Sequence, residues 1–131
     1  MLRAFLLAVP FVLWAATCRA GDRLDCSNAI TQAEMNQCAA DDLTRADDEL
    51  NQTYRALMAM LDPTRRRRLV EAERAWINFR DAHCRSETAQ SEGGSIHPLL
   101  YDTCLADMTR KRTKELKASL DCERHGENCN D

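Results

Sequence analysis

Apolar and small residues recur at helical intervals through most of the chain. Met35, Ala39, Leu43, Ala46, Leu50, Leu57 and Leu61 fall on one broad face of a helix that opens at "TQAE", Thr31–Glu34. That tetrapeptide is a capping box: the Thr31 hydroxyl accepts from the Glu34 N–H while the Glu34 carboxylate reaches back. "DP" at Asp62–Pro63 stops this helix and starts a second. Asp62 caps it, and Pro63 takes a first position where its missing N–H costs nothing. Leu69, Ala72, Trp76, Phe79 and His83 follow at alternating spacings of 3 and 4, which predicts that they form its inward stripe. "SEGGS" at Ser91–Ser95 breaks the pattern. A third helix starts near Pro98 and carries Tyr101, Cys104, Leu105, Met108, Arg112 and Leu116, with Lys111, Arg112, Lys114 and Lys117 towards its end, where cations suit the helix dipole. No segment of strand period stands out. The expectation is an all-α bundle of about three helices, the first two an antiparallel hairpin because the turn near Asp62 is tight.

The first twenty residues change the picture of the rest. "MLRAFLLAVPFVLWAATCRA" has one early arginine, an apolar run from Ala4 to Ala16, and small residues at Cys18 and Ala20. It reads as a secretory signal peptide, residues 1–20, too short and wrongly flanked for a membrane span. A lipid anchor on Cys18 is disfavoured, because "AATC" lacks the leucine and the small residue that usually precede such a cysteine. Cleavage after Ala20 leaves 16 basic residues facing 21 acidic ones, a net charge near −5. An acidic chain is a poor partner for nucleic acid. It suits a cationic protein.

Six of the seven cysteines remain after cleavage, and an even number in a small exported protein reads as a disulfide framework. In an antiparallel hairpin turning at residue 61, Cys38 and Cys84 are equidistant from the turn. They are the natural staple of the open end. Cys26 and Cys104 then pair, and Cys122 and Cys129 close a loop in the polar tail "DCERHGENCND".

Two arginines interrupt the apolar faces. Leu69, Trp76 and Arg80 lie within about 40° of one another around the second helix, and Arg112 sits among Tyr101, Leu105, Met108 and Leu116 on the third. A buried guanidinium must be paired. Asp42, Asp47, Glu73 and Asp81 are the acids within reach of Arg80. Arg80, Arg112 and Asp47 therefore read as a structural polar network, with a groove for an anionic ligand as the alternative. The run Arg65–Arg68 wraps right round a first helical turn, at the end the dipole disfavours. It reads as solvated charge or, alternatively, as a basic contact patch.

Catalytic chemistry finds no support. His83 and Cys84, adjacent on a helix, diverge by 100° and cannot act as a pair. Cys122, His125 and Cys129 are a metal half-site without a clear fourth ligand, and a disulfide is the better use of those sulfurs in an exported chain. No glycine-rich phosphate loop, catalytic residue, metal site or cofactor is expected.

"DELNQTY", "AERAWINFRDAHC", "EGGSIHP" and "CLADMTRKRTKEL" together resemble the LprI-like family, named for a bacterial lysozyme inhibitor, over roughly Cys26 to Leu120. The resemblance implies a helical domain over residues 21–120 followed by a polar tail, 121–131, in a bacterial protein that is periplasmic or secreted and not an enzyme. It implies a cationic lysozyme as partner. An acidic inhibitor would be steered to it electrostatically, and the Gly93, Gly94, Ser95, His97 loop is the candidate contact, with Ser95 and His97 as donors. That loop also reads as a plain helix connector. The alternative function is a general envelope interaction or stress protein without lysozyme binding.

Overall fold

A computed structural model of the protein describes residues 24–126. Three helices, α1 (Gln32–Met60), α2 (Pro63–Glu87) and α3 (His97–His125), account for most of them, with short 3-10 turns at Cys26–Asn28 and Ala89–Ser91 and no strand among the described residues. The capping box forms as read: Glu34 N–H donates to Thr31 Oγ1 at 3.2 Å, and Thr31 N–H donates to Glu34 Oε2 at 2.8 Å. Asp62 Oδ1 accepts from the Thr64 and Arg65 N–H groups at 2.8 and 3.0 Å, and Pro63 sits in the first turn of α2. The chain thus reverses between α1 and α2 over two residues.

Cross-helix contacts set the directions. Asn36 reaches Ser95, Asp42 pairs with Arg110, and Glu49 pairs with Lys117, so α1 and α3 run parallel. Arg65 meets Glu123 and Cys84 meets Cys104, so α2 runs antiparallel to α3. α1 and α3 pack against each other along most of their length, closer than α2 approaches either. Their buried positions explain this. Ala39, Ala46 and Thr53 on α1, and Ala106, Thr109 and Thr113 on α3, are small enough to let the backbones come close. Spacings of 7 in the first set and of 3 and 4 in the second are those of a heptad seam. Most of the bulk lies at the α1–α2 turn end, where Leu50, Leu57, Leu61, Leu116 and Leu120 form the apolar core and Tyr54, Leu69 and Trp76 pack against it; Leu105 is buried nearer the other end.

Two expectations need correction. The first is the disulfide pairing. The bonds are Cys26–Cys38 and Cys84–Cys104, each with a Cα–Cα distance of 5.7 Å, not Cys38–Cys84 and Cys26–Cys104. A disulfide needs Cα atoms roughly 4.4–6.8 Å apart. α1 and α2 scarcely come that close, whereas Cys84 faces α3. Equidistance from a turn is a rule for an isolated hairpin, and the third helix takes the Cys84 sulfur. Cys38 instead ties the segment preceding α1 back onto it. Cys122 is also disulfide-bonded; Cys129, its expected partner, lies outside the described residues, as does the signal segment 1–20.

The second correction is the inward face of α2. Ala72, Phe79 and His83 are exposed, and Phe79 stacks on His83 at 5.7 Å. The arc that faces the bundle carries Leu69, Val70, Glu73, Trp76, Arg80 and Cys84. Charged side chains with partners across the interface, and one disulfide, outweigh two apolar positions in choosing how the helix rolls.

Candidate functional site

Two groups of residues merit a functional reading: the charged groups between the helices, and the connection from α2 to α3. Arg80 enters from α2 over the ring of Trp76, its guanidinium carbon 5.3 Å from the ring centroid. Its Nη1 donates to Asp47 Oδ1 at 3.1 Å and to Thr109 Oγ1 at 2.9 Å, and its Nε donates to Asp81 Oδ1 at 3.0 Å. Arg112 lies one layer towards the apolar core. Its Nε and Nη2 both donate to Glu73 Oε1, at 2.9 and 2.5 Å, and its Nη1 donates to Glu115 Oε2 at 2.6 Å. Burial works to lower the Arg112 pKa, but the hydrogen bonds to Glu73 and Glu115 outweigh it and leave the value raised. A third bond, Arg110 Nη1 to Asp42 Oδ2 at 2.8 Å, joins α3 to α1 and holds the Asp42 carboxyl below its usual range.

Asp47 and Arg80 thus meet, while Arg112 stands apart from them with Glu73. Both guanidinium groups are directed at carboxylates of their own chain, which leaves little of either for an anionic ligand. Thr109, fully buried at the centre of the first group, belongs to the "CLADMTRKRTKEL" stretch that carries the family resemblance, but periodicity gave it no role, because a threonine on a helix is unremarkable until its neighbours are known. No buried side-chain nitrogen or oxygen lacks a partner among the described residues.

The α2–α3 connection is held by its own hydrogen bonds. Thr88 ends α2 with its N–H on Cys84 O, and its buried hydroxyl donates to the same carbonyl at 2.8 Å. Gly94 N–H donates to Ser91 O at 2.9 Å and His97 N–H to Gly94 O at 3.1 Å. Gly93 has φ +80°, a left-handed conformation that a Cβ disfavours. A Cβ on Gly94 would lie 3.1 Å from Ser91 O. Across the bundle, Asn36 Nδ2 donates to Ser95 O at 3.0 Å, so α1 steadies the loop as well. Glu92 to Ile96 are exposed.

His97 is less free than its sequence position implied. Its Nδ1 lies 3.0 Å from Ser91 Oγ, and its ring stacks on Tyr101. The Ser91 hydroxyl donates to Thr88 O at 2.7 Å. With that proton committed, Ser91 Oγ must accept from His97 Nδ1–H, which leaves Nε2 as the nitrogen open to a partner. Arg85, Glu92, His97 and Tyr101 line a cleft of about 340 Å³ beside the loop. Gly93, Gly94 and Ser95 therefore form the apex, and His97 lies in the wall. Among the remaining candidates, His125 Nδ1 lies 2.7 Å from Asp121 O and Cys122 is disulfide-bonded; Cys129, the third member of the half-site, lies outside the described residues.

These features define a class of protein: a small three-helix scaffold, stapled by disulfides, with its interior charges spent on one another and a hydrogen-bonded loop at one end. The chain belongs to the LprI family, whose model, described as lysozyme inhibitor LprI, matches residues 25–116. The family is named for inhibition rather than catalysis. The chain is also 39% identical, over 110 residues covering 74% of this chain and 79% of the relative, to an uncharacterized protein of Rhizobium meliloti (strain 1021). No solved structure matches it. No described helix is long and apolar enough to cross a membrane.

Proposed function

We propose that the protein is an exported inhibitor that binds a lysozyme and occludes its cleft, with the Glu92–His97 loop in the contact. Family membership supports the activity. The observation that carries the reading for this chain is where the loop sits. The half of the bundle around it, residues 24–44 and 78–110, holds 9 acidic side chains against 3 basic ones. That surface attracts a cationic enzyme and speeds encounter. The apex itself is neutral and narrow, and so suits a cleft whose working groups are two carboxylates. Ser95 supplies a hydroxyl there, and Arg85 and His97 supply donors beside it. The loop's own hydrogen bonds lower the ordering cost of binding. Export fits residues 1–20 read as a signal peptide and the disulfides, which persist in oxidising compartments.

The test is the clearing of a bacterial cell-wall suspension by chicken-type, goose-type and invertebrate-type lysozymes, with and without purified protein. Inhibition of one of them at micromolar protein, weakened by added salt and by Ser95→Ala with His97→Ala at unchanged helical circular dichroism, is the expected result. No inhibition of any of the three removes the reading and leaves an envelope protein without lysozyme binding. Full inhibition by the double variant moves the contact off the loop.

A further inference from the structure

The net charge of the chain conceals a separation. Opposite the acidic half, residues 45–77 and 111–126 carry 12 basic side chains against 9 acidic ones. This half ends in the α1–α2 turn, where α2 begins with Arg65–Arg68 and α3 finishes. Arg65 is paired with Glu123. Arg66, Arg67 and Arg68 are exposed and have no carboxylate partner among the described residues; Arg66 rests on Ala59 O and Arg67 on Thr64 Oγ1. Arg66 thus meets a carbonyl in the last turn of α1, while Arg67 and Arg68 make no hydrogen bond or ion pair to another helix among the described residues. Cations in the first turn of a helix face the positive end of its dipole and weaken it. Arg67 and Arg68, which oppose the local dipole without such a contact, point outward to function.

Apolar surface accompanies the charge. Leu57, Leu61, Leu69 and Ala72 form the floor of an open crevice of about 340 Å³, with Arg65, Arg68 and Ser119 also lining it. Met60 is exposed at the same end. Cations around an apolar recess match a surface that is anionic outside and hydrocarbon within. A polyanion such as nucleic acid would use the arginines and leave the crevice idle. It would also meet the acidic half along the same rod. We propose that the Arg65–Arg68 end of the bundle docks on bilayers of anionic phospholipid. The helices of 29 residues span about 43 Å, several screening lengths at physiological salt. The basic end therefore engages the bilayer while the acidic loop end projects away from it, undisturbed by the surface charge.

Co-sedimentation of the purified protein with vesicles tests this. The protein binds vesicles of 30% phosphatidylglycerol in phosphatidylcholine, does not bind pure phosphatidylcholine, and is released by added salt. Arg66→Gln/Arg67→Gln/Arg68→Gln loses roughly 100-fold in partitioning, from the usual contribution of each basic residue near an anionic surface. Arg66→Glu/Arg67→Glu/Arg68→Glu loses more, and the acids favour the first turn of α2, which keeps the variant folded. Asp41→Lys, towards the other end, leaves partitioning undiminished. Equal binding to both vesicle types, no binding at low salt, undiminished partitioning of either arginine variant, or displacement by inorganic phosphate at constant ionic strength each overturns the proposal. So does salt-sensitive head-to-tail self-association of the protein without vesicle binding.

Discussion

Removing Arg112 should harm the fold more than removing Arg80, although Arg80 has the more varied contacts. The difference lies in what each leaves behind. The Arg80 side chain is 13% exposed, but Asp47 and Asp81 are 41% and 35% exposed. Without Arg80 both carboxylates turn to water, and ion pairs with such partners are worth about 1 kcal/mol or less. Thr109 keeps a contact to Asp47 at 3.4 Å. Adding the lost packing over Trp76, Arg80→Ala costs about 2–3 kcal/mol. The Arg112–Glu73 pair is different, with side chains 19% and 11% exposed. Arg112→Ala strands Glu73 against the apolar core and costs about 3–5 kcal/mol. Urea unfolding followed by helical circular dichroism measures both as shifts in midpoint at unchanged slope. The double variant Arg112→Met/Glu73→Met provides the control: replacing the whole pair with apolar side chains recovers most of the loss. Arg112→Ala milder than Arg80→Ala, or a double variant worse than the sum of its two single changes, refutes the reasoning.

The remaining expectations are simpler to check. Peptide mapping without reduction finds Cys26–Cys38 and Cys84–Cys104. Partial reduction opens Cys26–Cys38 first, because Cys26 is exposed while Cys84 is fully buried; a Cys38–Cys84 peptide would contradict the fold. Gly93→Ala lowers stability by about 1–2 kcal/mol through its left-handed backbone, and an unchanged urea midpoint would show that the turn relaxes freely. Stability falls in acid. The hydrogen bond from Arg110 holds the Asp42 carboxyl below its ordinary 3.8, and backbone N–H groups hold Glu34 below 4.5 and Asp62 below 3.8. Their contribution is complete above the unfolded values and is lost as pH drops through the lowered ones. Asp102, raised by burial, works in the opposite sense and offsets part of this. A higher urea midpoint at pH 3 than at pH 7 would be inconsistent with this balance.

Helix starts were legible in the chain because their causes are local. Thr31, Glu34, Asp62 and Pro63 act on backbone groups within four residues, and the capping bonds follow from those residue types alone. The α1 face was legible too, since Ala39, Ala46, Leu50, Leu57 and Leu61 face the α3 seam or the apolar core at one end of it. The need for Arg80 and Arg112 to find acids followed from the cost of burying a charge, which holds in any fold. Which acid each would find did not follow. Glu73, on the same helix as Arg80, was a candidate for it, and only the roll of α2 and the offset of α3 gave it to Arg112. The same roll put Phe79 and His83 in solvent and turned Cys84 away from Cys38. The separation of charge lay in the letters but became a property of the molecule only once α3 ran parallel to α1, bringing its C-terminal half to the Arg65–Arg68 end. A chain specifies its helices through neighbours a few residues apart. Their order, roll and offset are decided by contacts between residues dozens apart, and these exist only when all three helices are in place.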